Sequence, residues 1–283
     1  MSDFSVFRDR YFIQADFVLE KPLHIGRGAS LEPIGSDLPV IKNPEGIPII
    51  PGSSVKGAVR SMLERVLRAL EQQGCSINGH ILAACDPFKD PQERICQAKK
   101  EDLETRWGEN WKTNEPRLNE AVMHETCTAC RLMGSPWLGS KVYFKDLPLV
   151  NRDDLFRLTE IRDGVGIDRD TGTARPRIKF DYEVVPSGAS FLLDIIMETD
   201  DAWEAGLLLS ILRLWERGEL PLGGKTSRGL GWGRLENVRV QRASKDNLLE
   251  YLIENRKDAV EVAVLVAEFM RQLRRSEHAQ GAS

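Results

Sequence analysis

The order of elements between residues 11 and 70 limits most strongly what this chain can fold into. Residues 11–20, YFIQADFVLE, are rich in aromatic and branched side chains and predict a strand. Residues 22–37 hold three glycines, two prolines and few large apolar groups, the composition of a loop. LPVIK at 38–42 and GIPIIP at 46–51 are short extended pieces around an Asn-Pro-Glu-Gly turn. Pro51-Gly52-Ser53-Ser54 then predicts a helix start over about 52–70, with either serine able to accept a hydrogen bond from the first-turn N–H groups. Val55, Val59, Met62, Val66 and Leu70 fall at helical spacing and form one apolar face. Lys56, Arg60, Arg65 and Arg68 lie off that stripe, where the early turns already carry the positive end of the helix dipole. Such a helix start suits an anion, for instance a phosphate. An ordinary α/β unit with a solvated basic face is the competing reading.

The remaining elements complete a pattern. Residues 74–135 are polar, broken by Pro and Gly, and contain every cysteine; Trp107 and Trp111 are the bulky anchors of their middle part. They read as an irregular insertion, too poor in apolar residues to fold without a staple. KVYFKDLPLV at 141–150 returns to strand character, whereas 159–178 is a charged, Gly-rich excursion. KFDYEVVP (179–186) and SFLLDIIMET (190–199) predict a hairpin around Ser187-Gly188. Asp201 can cap a helix running to about Arg217, with Trp203, Leu207, Leu208, Ile211, Leu212 and Trp215 on its apolar face. A Gly-rich loop at 221–233, a last strand, and a long amphipathic helix over 245–275 follow. The order β-α-β-β-α-β predicts an α+β, ferredoxin-like core, an architecture shared by many RNA-binding modules. The expected division is a domain over 1–243, including the 74–135 insertion and the 159–178 excursion, followed by a C-terminal helix and tail over 244–283.

With 283 residues, 41% of them hydrophobic and 29% charged, the chain has the composition of a globular protein with a substantial core. No stretch is apolar enough to span a membrane, and MSDFSVFRDR lacks a signal-peptide core, so a cytoplasmic location is expected. The net charge of −4 argues against a generally basic nucleic-acid binder. Charge is unevenly spread, however: Lys225, Arg228, Arg234, Arg239 and Arg242 crowd into 221–242 against Glu236 alone. A local basic surface on an acidic body therefore remains open.

GGKTS at 223–227 resembles a phosphate-binding loop, but Glu219 stands where that motif needs glycine, and the segment follows a helix instead of a strand. What survives is a run of exposed backbone N–H groups beside Lys225, Ser227 and Arg228, near which an anionic backbone could lie, or simply a flexible turn. Cys127-Thr-Ala-Cys130 has the spacing of a zinc knuckle. Cys85 and Cys96, more widely spaced than in a regular ribbon, would complete the set, with Cys75, His80 and His124 competing. An irregular insertion is where a structural metal is most needed. Asp37 between Ser36 and Leu38-Pro39 reads locally as a turn former, His24 as a structural residue or a general acid or base, and Asp168-Arg169-Asp170 as a solvated hairpin tip or an arm reaching a ligand.

Several separated segments together resemble one family. LHIG (23–26), IGSDLPVIK (34–42), IPIIPGSSVKGAVRSML (47–63), CRLMGSP (130–136), RDGVGIDRDTGTA (162–174) and GGKTSRGLGWGRL (223–235) are similar, in order, to the RAMP superfamily, and specifically to the backbone subunits of type III CRISPR effector complexes. The resemblance implies copies of the chain, or close homologues, stacked with other subunits along a guide RNA, with a thumb-like hairpin at about 159–178 wedged into the guide–target duplex. It implies metal-dependent cleavage of target RNA, with Mg²⁺ or Mn²⁺ as cofactor, at Asp37, the aspartate before the P-V-I-K segment. It further implies RNA contacts from His24 and Arg27, from Ser53, Ser54, Lys56 and Arg60, from Arg162, Ile167 and Arg169 of the hairpin, and from Gly224, Lys225, Ser227 and Arg228. Family members also carry a structural zinc knuckle, here Cys85, Cys96, Cys127 and Cys130. Two variants of this reading are a guide-binding scaffold that does not cut and a guide-processing nuclease using His24. Outside RNA biology, a metal-stapled globular protein is the alternative.

Overall fold

The computed structural model describes residues 6–28, 36–86, 95–108 and 115–274. Trp111 and the Ile34-Gly35 pair before Ser36 lie outside them. The organising element is β1 (Arg10–Leu19), whose side chains alternate so that Tyr11, Ile13, Ala15, Phe17 and Leu19 all point inward and are buried. It is flanked on both sides, by β9 (Ser190–Glu198) and by β10 (Gly233–Ala243), each antiparallel, with a register shift against β10 between Gln14 and Asp16. Adding β5 (Val142–Phe144) and β11 (Asp258–Val260) gives a five-stranded antiparallel sheet of order β11-β10-β1-β9-β5.

Two helices bury the inner face of this sheet. Helix α1 (Gly52–Gln72) contributes Val55, Val59, Leu63 and Leu67, and α5 (Ala202–Glu216) contributes Leu208, Ile211, Leu212 and Trp215, to one continuous core. The Trp215 ring meets Phe17 edge-on at 5.5 Å. Helix α5 is buried on nearly all sides, because α7 (Val262–Gln272) covers the flank opposite the sheet. The two helices approach so closely at Gly206 that a β-carbon there would lie 2.1 Å from the Leu265 carbonyl oxygen.

Several expectations are corrected. Neither Ser53 nor Ser54 caps α1. The helix begins at Gly52, as expected, but with Pro51 as N-cap, so both serines already lie within its first turn. The Gly52 N–H donates instead to Asp146 Oδ1 at 2.8 Å, from the corner between β5 and β6 (Leu147–Pro148), which pairs with β2 (Ile49–Ile50). Strand character over 141–150 is thus split at Lys145-Asp146. Asp201 is the N-cap of α5 but makes no side-chain cap bond.

The hairpin predicted between 179–186 and 190–199 does not form. Strand β8 (Ala174–Val184) pairs with β7 (Glu160–Ile167), while β9 inserts between β1 and β5. The reason is chemical. Phe191, Leu193, Ile195 and Met197 give β9 an apolar face fit for the core, whereas β8 offers aromatics on one face and carboxylates on the other. The 159–178 excursion is therefore the outer part of a longer hairpin, turned at Asp168, whose Oδ1 accepts the N–H groups of Asp170 and Thr171 at 3.0 and 3.1 Å.

The helix expected over 245–275 is interrupted. Helix α6 (Leu248–Glu254) ends at Asn255, which adopts a left-handed conformation (φ 54°), and β11 joins the sheet edge before α7 begins. The cysteine-bearing insertion is also less irregular than its composition suggests. Beyond a two-residue hairpin, β3 (Ser76–Ile77) and β4 (His80–Ile81), it holds α2 (Lys100–Trp107), α3 (Glu115–Glu125) and α4 (Thr128–Met133). Ile95, Ala98, Leu103, Ala121 and Val122 form a small second core there, and α4 packs onto α1.

The Gly206 approach predicts that Gly206→Ala destabilises the fold by about 1–3 kcal/mol, because backbone must shift to admit the methyl group. Chemical denaturation of the two proteins measures the difference.

Candidate RNA-cleavage and binding site

Two loops converge on β8, and each is held by one of its faces. Consecutive side chains on a strand point to opposite sides. On one side, Phe180 and Tyr182 lie with ring centroids 6.2 Å apart beneath the Lys225 ammonium, which sits 5.3 and 4.7 Å from their centroids. Lys225 reaches them from a left-handed position (φ 58°) that opens the short turn Thr226–Arg228 of the Gly-rich loop. Gly164, opposite Phe180 on β7, is needed here, since a β-carbon would come within 2.3 Å of the Phe180 ring.

The other side of β8 holds the Asp37 segment. The Asp37 N–H donates to Asp181 Oδ1 at 2.7 Å, and the Asp181 N–H donates to Asp37 Oδ2 at 3.0 Å. Hydrogen bonds from the Ser36 hydroxyl and the Asp37 N–H, with Lys179 adding attraction, hold the Asp181 carboxyl below its usual range. Glu183 N–H donates to the Leu38 carbonyl at 3.0 Å, and the Glu183 carboxylate accepts the Val40 N–H at 3.0 Å and Lys42 Nζ at 2.6 Å. Burial would raise the Glu183 pKa, but Lys42, Thr159 and the Val40 N–H outweigh it and depress it. The Asp37 side chain is exposed. Beside it opens a cleft of about 540 Å³, lined by Arg27, Ser36, Lys42 and Glu183 among others.

His24 lies below this surface and is 8% exposed. Its Nδ1 is 2.7 Å from the Glu183 carbonyl oxygen, so in the neutral ring Nδ1 carries the proton. Its own carbonyl accepts the Gly224 N–H at 2.8 Å, and Gly223 passes so near that a β-carbon would be 2.5 Å from that oxygen. His24 thus seats the Gly-rich loop and does not face solvent.

The basic start of α1 forms a separate basin. Lys56 Nζ donates to Ser140 Oγ at 3.1 Å, and Arg60 donates to Glu64 Oε1 at 2.8 Å, to the Gly134 carbonyl at 3.1 Å and to Cys130 Sγ at 3.4 Å. Burial and the neighbouring Arg60 charge lower the Lys56 pKa. Burial works against the Arg60 charge, and Glu64 with the Cys130 and Cys85 sulfurs outweighs it. Ser53 is exposed and Ser54 half-buried nearby, while Arg162, Ile167 and Arg169 stand exposed on the β7–β8 hairpin; Ser227 and Arg228 are exposed on the Gly-rich loop.

Behind Arg60, the sulfurs of Cys85, Cys96, Cys127 and Cys130 all lie within 4.8 Å of one another and all four residues are buried. Cys85 and Cys130 are 3.6 Å apart, close to the roughly 3.8 Å edge of a tetrahedron with metal–sulfur bonds of about 2.3 Å. The Cys85 N–H donates to Cys127 Sγ at 3.3 Å, and hydrogen bonds from Cys130, Cys85 and Cys96 favour ionisation at Cys127. Cys75 is buried outside this cluster, and His80 and His124 are exposed apart from it.

Asp181, Glu183, Lys42 and the Phe180–Tyr182 pair were not singled out from the sequence. The alternation of Phe, Asp, Tyr and Glu at 180–183 was the available signal, since a strand must send these to two different surfaces.

With this geometry in view, the chain belongs to the RAMP superfamily, whose sequence model matches residues 16–236. It is similar to the CRISPR system Cms endoribonuclease Csm3 of Methanothermobacter thermautotrophicus, 27% identical over 243 residues that cover 83% of this chain and 87% of that protein. A shorter stretch of 54 residues, 18% of this chain and 24% of the relative, is 52% identical to the protein of the same name from Streptococcus thermophilus. No helix among the described residues is long and apolar enough to cross a membrane.

The depressed Glu183 carboxyl contributes stability that is present above its unfolded value of 4.5 and lost as pH falls through the lower folded value. Glu183→Gln should therefore cost about 2 kcal/mol at neutral pH and flatten the acid limb of the stability profile below 4.5, as read by denaturation across pH.

Proposed function

We propose that the chain is a backbone subunit of a type III CRISPR ribonucleoprotein that binds guide RNA and cleaves complementary target RNA at the Asp37 loop. One observation carries the reading: an exposed carboxylate, pinned to β8, stands directly before Leu38-Pro39-Val40-Ile41-Lys42. The superfamily match and relatives named endoribonucleases support it. The strand order β10-β1-β9-β5, with α1 and α5 on one face, is read as ferredoxin-like.

RNA carries its own nucleophile, so the protein needs to hold and align more than to attack. The target's 2′-hydroxyl would displace the 5′-oxygen at phosphorus, leaving a 2′,3′-cyclic phosphate and a 5′-hydroxyl. A hydrated divalent cation, when bound, would neutralise charge on the scissile phosphate. Asp37 suits it, because Oδ2 alone is engaged by the Asp181 N–H and no second acidic ligand is required of a site where waters and phosphate fill the remaining positions. Exposed Ile161, Val165 and Ile167 give the hairpin an apolar edge fit to part stacked bases, with Arg162 and Arg169 for phosphates. Ser53, Ser54, Lys56 and Arg60, together with Gly224, Lys225, Ser227 and Arg228, would follow the guide backbone, and Arg27 would line the target side. His24 serves this reading by seating the Gly-rich loop.

The four-cysteine cluster is read as a structural zinc site, since four buried sulfurs within 4.8 Å of one another match the softest common donor set for that ion.

In a guide-loaded complex, Asp37→Ala should abolish target cleavage while guide content stays unchanged. Undiminished cutting would instead favour the scaffold reading. Metal analysis should find one zinc per chain, and chelation should expose the 74–135 region to proteolysis; a metal-free protein with the same protease pattern refutes the staple.

A further inference from the structure

We propose that Asp181 is a positioning residue of the cutting loop: the Asp37–Asp181 pair of reciprocal hydrogen bonds fixes both the backbone and the carboxylate orientation of Asp37. The inference rests on the reading of Asp37 as the cutting residue. The argument is geometric. Asp181 Oδ1 accepts the Asp37 N–H at 2.7 Å, which sets where the Asp37 backbone lies. The Asp181 N–H donates to Asp37 Oδ2 at 3.0 Å, which sets how its carboxylate is turned. Among the described residues Asp37 Oδ1 has no hydrogen-bond partner and remains available to a ligand. The second bond comes from the Asp181 main chain and survives substitution, so the Asp181 side chain contributes the acceptor that holds the Asp37 backbone where that second bond can turn the carboxylate.

The anchoring is otherwise one-sided. Toward the C-terminus, Leu38 and Val40 are tied to Glu183 of the same strand. At Asp37 itself, the Asp181 pair is the tie to β8. The partner strand also carries the hairpin that would part the target RNA, so Asp181 sets the distance between the wedge and the carboxylate. A residue acting this way touches no substrate. Its loss should lower the rate of cleavage and leave target affinity alone, because misplacement of a reacting group by about 1 Å costs up to about a hundredfold.

The test uses the guide-loaded complex with saturating Mg²⁺ and compares single-turnover cleavage rates with target affinities. Asp181→Ala and Asp181→Val, the second chosen because a β-branched residue suits a strand, should cut about 10–100-fold more slowly with unchanged affinity. Asp181→Asn should stay near the native rate, since its amide oxygen accepts the same Asp37 N–H. Two outcomes overturn the proposal while Asp37→Ala remains inactive: native rates in Asp181→Ala and Asp181→Val, or a defect in Asp181→Asn equal to theirs, which would mean that the charge matters and not the bond. If Asp37→Ala itself cuts normally, the reading of Asp37 fails first.

Discussion

Side chains on a β-strand alternate between its faces, and on β8 that alternation binds two otherwise independent loops to one backbone. Phe180 and Tyr182 receive Lys225 of the Gly-rich loop, while Asp181 and Glu183 receive Asp37, Val40 and Lys42. The strand then enters the core through Val184 and Val185, both buried, and Val185 exchanges hydrogen bonds with Leu23 next to His24. A slip of one residue would put carboxylates under the Lys225 loop and rings against the Asp37 segment. Gly164 guards the register, since its missing β-carbon makes room for the Phe180 ring.

The cysteine cluster is tied to α1 by more than proximity. Arg60 reaches Cys130 Sγ and the Gly134 carbonyl, and Arg68 donates to the Cys85 carbonyl at 2.9 Å. Both arginines share Glu64, so a single carboxylate orders two cations, one against a sulfur and one against a carbonyl of the cluster. A cluster carrying negative charge on its thiolates would strengthen the Arg60 contact. The insertion thereby fixes the basic side of α1, including the basin where Lys56 meets Ser140. On the proposed reading, the metal site supports the guide-binding face without touching RNA.

Much of this was legible beforehand. Runs of aromatic and branched residues marked β1 and β9, apolar residues at helical spacing marked α1 and α5, and the four cysteines that cluster are the four expected. The failures share a cause. Pairing partners are a tertiary property, so adjacent strands 179–186 and 190–199 looked like a hairpin although β9 had better apolar partners in β1 and β5. The α1 cap came from Asp146, nearly a hundred residues away in sequence, and local serine chemistry could not reveal it. In the 245–275 segment the polar run Glu254-Asn255-Arg256-Lys257-Asp258 coincides with the break, and Asn255 takes the left-handed position there. Asp37 remained a turn residue on local chemistry, because its partner Asp181 lies on a distant strand.

The charge distribution also changes meaning once the partners are known. The basic run over 221–242 does not present one positive surface. Arg234 pairs with Glu20, Arg242 pairs with Asp9, and Lys225 rests on two aromatic rings. Lys42 and Arg60 are likewise engaged by Glu183 and Glu64. A cation already engaged within the protein displaces fewer counterions from a phosphate backbone, so on the proposed reading one chain would offer only a weak hold on RNA, with a shallow salt dependence. On the proposed reading, affinity has to come from repetition: successive copies along one guide turn many weak contacts into an intramolecular series, where each added subunit binds at high effective concentration. A net charge of −4 is then an advantage, because it keeps free chains from collecting on arbitrary RNA before they assemble.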